Sequence, residues 1–253
     1  MTEEQIKHLS QVLKLDLSAY HPQQLQRLIT AFMQRNDFPN LDILISALRS
    51  NPKLRQHLLD NLGINITQFF RDPQIWDILA REILPDLLKE FKSLRVWSAG
   101  CSIGKEPYSL AALLYHLAPQ GAHTIIATDI DEAALTHAKK GEYPADDMKE
   151  IPPIYRSLFT VQNGLIVVPP TLRKFVQFHR LNLLSDPYPQ GIHLLVCRNL
   201  LIYFRPEVKP RIFHSFAQSL LKGGVLFLGA SEVLLNPSAY GFEPLQFGFY
   251  RRV

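Results

Sequence analysis

Leu94-Arg95-Val96-Trp97-Ser98-Ala99-Gly100-Cys101-Ser102-Ile103-Gly104-Lys105-Glu106-Pro107-Tyr108-Ser109-Leu110-Ala111-Ala112-Leu113-Leu114 reads as a short apolar strand (Leu94–Ser98), a turn of small residues (Ala99–Gly104) and an apolar helix. Pro107 lies just behind the last turn glycine, where the first turn of a helix tolerates a missing N–H. A strand that passes through a glycine turn into a helix offers free backbone N–H groups and open space to a nucleotide-like ligand. The spacing Gly100-x-x-x-Gly104 is not the dinucleotide pattern G-x-G-x-x-G. Taken alone, the turn is as consistent with a plain βα connection as with a ligand cradle.

Working outward toward the C-terminus, strands alternate with helices. Thr124–Thr128 is a buried strand ending in Asp129-Ile130-Asp131, followed by a helix capped by Asp131 and closed by Gly141. Asp129, about 25 positions beyond the glycine turn at a strand end, suits a carboxylate that accepts hydrogen bonds from ribose hydroxyls. Phe175–Phe178 and His193–Cys197 are further strands, then a helix over Pro206–Leu221 closed by Gly223-Gly224, a strand Val225–Gly229, and one or two strands over Phe242–Arg251. This alternation predicts an open, mainly parallel, doubly wound α/β sheet with helices on both faces and its ligand over the carboxyl ends of the strands. Those ends carry Gly100, Asp129, Asn182 and Asn199, polar positions converging from four separate segments. Residues 144–174, punctuated by Pro144, Pro152-Pro153 and Pro169-Pro170, break the alternation; they are expected to form a small β-subdomain in which Gly164–Val168 is one strand.

Toward the N-terminus, residues 1–62 are helical in pattern. Thr2 and Gln5 form a capping box for a helix through Leu15; Pro22, Asn40 and Asn51-Pro52 start three more, the last ending at Gly63. A small all-α bundle follows, readable either as a stabilising cap or as a partner-docking surface. Residues 63–73 interleave Asn65, Thr67 and Arg71 with Ile66, Phe69 and Phe70, which is a linker stapled by aromatics or a lid over a ligand. Asp72-Pro73 then caps a helix through about Phe91, kinked or split at Pro85. The expected domains are 1–72, all-α plus lid, and 73–253, α/β.

The composition narrows the function classes. Of 253 residues, 47% are hydrophobic and 20% charged, as in an ordinary soluble globular protein. A net charge of +4 is far short of a nucleic-acid signature. The two cysteines, Cys101 and Cys197, exclude a disulfide framework. No apolar run reaches about 18 residues and Met1-Thr2-Glu3-Glu4 carries no signal peptide, so a cytoplasmic protein without membrane insertion is expected. The nine histidines show no metal-ligand spacing.

Six blocks resemble the bacterial chemotaxis receptor methyltransferases of the CheR type: Asn65–Arg71, Val96–Ser109, Thr128–Asp131, Asn182–Leu184, Cys197–Phe204 and Gly229–Glu232. They occur in the family's order and span nearly the whole chain. The resemblance implies a class I, Rossmann-like methyltransferase domain behind an all-α domain, with S-adenosyl-L-methionine as cofactor and S-adenosyl-L-homocysteine as product. The implied reaction is methylation of glutamates on chemoreceptor cytoplasmic helices to methyl esters by a monomeric enzyme. Carried over by position, Asn65, Thr67 and Arg71 approach the methionine end and the methyl. Gly100 belongs to the glycine turn, Glu106 holds the amino acid part, Asp129 the ribose and Asn182-Leu183 the adenine, while Asn199-Leu200 completes the floor. Arg71 and Tyr203 orient the substrate carboxylate. Ionised at neutral pH, a glutamate needs no general base, so the absence of a Ser/His/Asp set or metal cluster is expected. Lys105 and Ala230 depart from the residues of many relatives. Thr160-Val161-Gln162-Asn163-Gly164 is shorter and poorer in glycine than the loop with which some relatives grip a receptor C-terminal pentapeptide, which predicts independence of that tether. Basic docking residues are sparse on the second helix, Arg27 and Arg35, with Lys53 and Arg55 as helpers on the fourth. The alternatives are a methyltransferase of this type acting on another protein or a small molecule, and a non-catalytic module that senses the cofactor.

Overall fold

The computed structural model describes residues 1–62, 67–229 and 232–253; Asn65 of the expected cofactor set and Ala230 lie outside them. The chain divides into two compact units, Met1–Ile66 with Leu200–Lys209, and Thr67–Asn199 with Pro210–Val253.

The helical unit holds α1 (Glu3–Leu13), α2 (Pro22–Arg35), α3 (Leu41–Ser50) and α4 (Pro52–Asn61). Thr2 and Gln5 form the reciprocal capping box, Asn40 Oδ1 accepts from Ile43 N at 3.0 Å, and Asn51 Oδ1 accepts from Leu54 N at 3.0 Å. Leu9, Ile29, Phe32, Leu44, Leu48 and Leu58, spaced at helical period, make the buried centre. The returning segment is tied in by backbone: His21 N donates to the Tyr203 carbonyl at 2.9 Å and Arg205 N to the Ala19 carbonyl at 2.8 Å. Arg55 is not a free surface charge. Its guanidinium donates to the Leu48 and Arg49 carbonyls at 2.7 and 3.0 Å, closing the carboxyl end of α3, where unpaired carbonyls attract a cation.

The second unit begins with α5 (Pro73–Ile78), a π-helical turn (Leu79–Ile83) and α6 (Leu84–Phe91). The break expected at Pro85 takes the form of that wider turn: the ring removes one donor and crowds the carbonyl four residues back, which the looser pitch relieves. Then come β1 (Arg95–Ala99), α7 (Lys105–Leu117), β2 (Thr124–Asp129), α8 (Glu132–Lys140), β3 (Glu142–Pro144), α9 (Pro153–Arg156), β4 (Thr160–Gln162), β5 (Leu165–Val167), α10 (Pro170–Arg173), β6 (Val176–Arg180), β7 (Ile192–Cys197), α11 (Lys209–Ser219), β8 (Leu220–Leu228), β9 (Phe242–Gln246) and β10 (Phe249–Arg252). The main sheet has seven strands in the order β6-β2-β1-β7-β8-β10-β9. β6 through β8 run parallel, and β10 runs antiparallel between β8 and β9. Strand order reverses between β1 and β7, so a crevice is expected where their carboxyl ends part. β1 and β7 are buried almost throughout because both sheet faces are covered.

Two expectations are corrected. Gly223-Gly224 do not close a helix; α11 ends at Ser219 and both glycines lie inside β8. A Cβ on Gly224 would sit 2.9 Å from the Leu221 carbonyl oxygen and 3.1 Å from that of Ile192, so glycine is required there by close backbone approach beside the register shift of β7. Residues 144–174 hold more than one strand. β5 is the middle of a three-stranded antiparallel sheet, β3-β5-β4, closed at Asn163-Gly164 with φ of +50° and +75°. Strands of three residues are too short to show a period of two.

Candidate cofactor site

The glycine turn leaves β1 with Gly100 at φ +82° and enters α7 from Gly104 at φ +91°. A Cβ on Gly104 would meet Ala138 Cβ at 2.8 Å and the Tyr143 hydroxyl at 3.1 Å, so both conformation and space demand glycine. The turn does not offer its donors as freely as expected. Gly100 N and Cys101 N both donate to the Thr128 carbonyl, at 2.8 and 2.9 Å, and Gly104 N to the Cys101 carbonyl at 3.0 Å. Ser102 N donates to Asp129 Oδ2 at 2.7 Å. What the turn provides is a fixed course rather than a phosphate nest.

Asp129 therefore already staples the turn to the end of β2, its Oδ1 accepting from Asp131 N at 3.0 Å. Burial, against those N–H bonds, pushes its carboxyl up to about 6. Asp131 is the helix cap, accepting from Ala133 N and Ala134 N.

Glu106, in the first turn of α7, faces back to β1, where Ser98 Oγ donates to its Oε1 at 2.8 Å. Its Oε2 has Arg198 Nη1 at 4.0 Å. Burial is the largest influence and raises the Glu106 carboxyl, with Arg198 working against it. Arg198, its side chain 2% exposed, is packed over Phe227 at 5.0 Å and beside Trp76 at 5.9 Å. Its Nη2 donates to the Arg71 carbonyl at 2.9 Å and to Asp72 Oδ2 at 2.7 Å. Asp72 thus does not cap α5, as its sequence position beside Pro73 suggested: it sits at φ +59° with no side-chain cap bond, and its carboxylate pairs with the buried guanidinium instead. Arg71 lies between two residues of positive φ, Phe70 at +47° and Asp72 at +59°. Phe69 and Phe70 are buried, Phe70 stacked on Tyr155 at 5.1 Å and Phe69 edge-on to Tyr143 at 5.0 Å. The segment from Thr67 is pinned by aromatics and aimed by backbone strain.

Asn199 adopts φ +58° just past β7, and its N–H donates to Glu232 Oε2 at 2.6 Å, which also accepts from Gly229 N at 3.0 Å. Asn182 follows β6, with its Oδ1 accepting from Leu184 N at 2.9 Å; Leu181 N donates to the Asp129 carbonyl at 2.9 Å. Thr67, Arg71, Gly100, Glu106, Asp129, Asn182, Leu183 and Asn199 accordingly belong to one unit, whereas Leu200 and Tyr203 belong to the helical one. In the latter, Tyr203 has its ring 6.4 Å from that of Tyr20.

Arg198, Glu232 and Ser98 were given no role from sequence. Arg198 carried a signal: an ionisable residue directly after an apolar strand has to be paired when buried.

The donor set fits a compound with a cationic amino acid end and a ribose. Glu106 Oε2 has Arg198 Nη1 at 4.0 Å, and this buried carboxylate is of the charge to take an ammonium group. Asp129 stands at the next strand tip. Cys101 and Cys197 are free and buried, and burial first, then nearby carboxylates, pushes both thiols up, which disqualifies them as nucleophiles. Among the described residues no group of side chains could hold a metal ion, and no helix is long and apolar enough to cross a membrane.

Comparison with known proteins accords with these features. Residues 65–247 match the family described as "CheR methyltransferase, SAM binding domain", and residues 3–62 match "CheR methyltransferase, all-alpha domain". A "Chemotaxis protein methyltransferase" of Listeria monocytogenes is 39% identical over 240 residues, 94% of this chain and 92% of its own. "Chemotaxis protein methyltransferase 1" of Pseudomonas aeruginosa is 35% identical over 221 residues, 82% of this chain and 81% of its own.

Proposed function

This chain belongs to the CheR methyltransferase family, an S-adenosylmethionine-dependent methyltransferase of chemotaxis, and from that premise we propose that it esterifies glutamate side chains on cytoplasmic helices of chemoreceptors. The observation that supports the proposal is the line of contacts from Glu106 through Arg198 to the Arg71 carbonyl, which ties the carboxylate we assign to the cofactor to the backbone of the residue we assign to the substrate. The cofactor supplies a methyl on a positively charged sulfur, already a strong electrophile, so the protein's part is placement. Glu106 holds the cofactor's ammonium and Asp129 its ribose; Asn182-Leu183 flank the adenine; Thr67 and Asn199 with Gly100 bound the methionine end. Arg71 turns its guanidinium to the incoming carboxylate and offsets part of the cost of stripping water from it. A glutamate is ionised at neutral pH, so no proton has to be removed. The enzyme works as a cytoplasmic monomer in this proposal. Incubation with labelled cofactor and receptor cytoplasmic fragments tests it: base-labile label on the fragment is expected, and binding of cofactor without methyl transfer to any fragment would point to a sensing module instead.

Protonation gives a second check. Held up to about 6 by burial, the Asp129 carboxyl retains its proton in the folded chain through a window where an unfolded one has lost it. Its contribution to stability is therefore full at low pH and is lost as pH rises through about 6. Cofactor binding has the opposite sign, because ribose hydroxyls donate to the ionised form. Affinity for S-adenosylhomocysteine is expected to be flat above about pH 7 and to fall up to about tenfold per pH unit below 6; calorimetry across that range reads it, and a flat profile down to pH 5 would remove Asp129 from the site.

The short β4–β5 turn supports independence of a receptor tether. Titration with a receptor C-terminal pentapeptide is expected to give no heat of binding, and a micromolar dissociation constant would overturn that assignment.

A further inference from the structure

Lys105 is the first residue of α7, its side chain only 7% exposed. Its ammonium does not face the turn. Nζ lies 2.9 Å from Asp147 Oδ2 and 3.1 Å from Glu150 Oε2, two carboxylates on the 3-10 segment Ala145–Glu150 that follows β3, and 5.5 Å from the centre of the Phe69 ring. The same Glu150 oxygen accepts the backbone N–H of Phe69 at 2.9 Å. One residue on, Phe70 N donates at 3.1 Å to Ser109 Oγ, whose hydroxyl in turn donates to the Lys105 carbonyl at 2.8 Å. Two consecutive N–H groups of the segment leading into Arg71 are thus held by side chains that both converge on Lys105.

The charges explain why a lysine works there. Asp147 and Glu150 are largely covered, at 18% and 16% exposure, and without a cation two neighbouring carboxylates would repel and turn toward solvent. A rotated Glu150 no longer accepts, and Phe69 N would then be a buried donor without that partner.

We infer that Lys105 is a positioning residue which, by fixing Glu150 against the Phe69 N–H, sets the course of Thr67–Arg71 over the cofactor. The inference rests on the proposal that Thr67 and Arg71 border the cofactor. The ion pair is stabilised by Phe69 itself, so the segment and the subdomain carrying Ala145–Glu150 hold one another in place through a single side chain from the glycine turn.

Calorimetric affinity for S-adenosylhomocysteine, together with hydrogen exchange at the Phe69 and Phe70 amides, tests this without any methyl acceptor. Lys105→Met is expected to weaken binding about tenfold and to speed exchange at the Phe69 amide more than at the Phe70 amide, which Ser109 still holds, with exchange in α1–α4 unchanged; Lys105→Arg should restore most of the affinity. Glu150→Ala leaves Lys105 paired with Asp147 and removes the Phe69 acceptor, so it should reproduce the loss, and it decides the matter if Lys105→Met does not fold. The double variant should be no weaker than the weaker single one, as expected of residues acting through one contact. Affinity within twofold of the parent in folded Lys105→Met or in Glu150→Ala, or additive losses in the double variant, would overturn the inference. Failure of the parent chain to bind would instead overturn the proposed cofactor site.

Discussion

Arg71→Ala is expected to lower turnover on a receptor fragment about a hundred- to a thousandfold, the range found when one preorganised charge-stabilising donor is removed from an active site. The contacts that fix this stretch of chain are not the ones deleted. Arg198 holds the Arg71 carbonyl, and Phe69 and Phe70 are buried within the Thr67–Asp72 stretch. The backbone therefore keeps its course when the side chain is cut back, and the melting temperature is expected to move little. Arg71→Lys should recover only part of the loss, because an ammonium restores charge but not the planar fork that matches a carboxylate. Initial rates with labelled cofactor, measured against fragment concentration, separate the two contributions: a fall in kcat marks a role in the transition state, a rise in KM alone marks docking. Near-normal turnover of Arg71→Ala would remove it from the reaction.

How much of this could be read from the chain beforehand depends on the range of the interactions involved. The α/β architecture was legible because β1, β2 and β7 are apolar runs with turn residues at their ends, and helix starts were legible because a cap is a contact over three residues, as at Thr2, Asn40 and Asp131. Gly104 was legible as a turn residue, though not for its real constraint, the Ala138 and Tyr143 side chains that arrive from 34 to 39 positions away. Asp72 shows how local reading fails. Its place before Pro73 makes it a cap by pattern, yet a buried guanidinium 126 positions distant outcompetes the α5 N–H groups. A charge-assisted bond to a buried guanidinium outweighs a cap worth about 1 kcal/mol. Gly223-Gly224 failed for a related reason: glycine ends helices and also allows close approach inside strands, and only the neighbouring carbonyls of Leu221 and Ile192 distinguish the two. The site divides along the same line. Strand-tip residues such as Asp129 and Asn199 follow from topology, whereas Arg198, Glu232 and Glu150, which set the positions of the others, act across sequence distances that no pattern records.

Glu106→Gln is expected to weaken cofactor binding by about 10- to 150-fold, the equivalent of a charge-assisted hydrogen bond of about 1.5–3 kcal/mol. The substitution is nearly isosteric and leaves an amide oxygen for the Ser98 hydroxyl, so what it removes is the negative charge. Stability should respond in the opposite sense. Burial raises the Glu106 carboxyl more than Arg198 lowers it, so in the cofactor-free chain the ionised form is held at a cost, and its contribution to stability declines as pH rises through its folded value. An uncharged side chain removes that cost, while Arg198 keeps Asp72 at 2.7 Å and the Arg71 carbonyl at 2.9 Å as partners. The melting temperature of Glu106→Gln without cofactor should therefore equal or exceed that of the parent, and the rise normally produced by S-adenosylhomocysteine should shrink by the free energy of the lost affinity. The two readouts together separate a ligand-binding carboxylate from a structural one. A lower melting temperature with undiminished affinity would mean that Glu106 serves as counter-charge to Arg198, and the amino acid end of the cofactor would have to be held elsewhere.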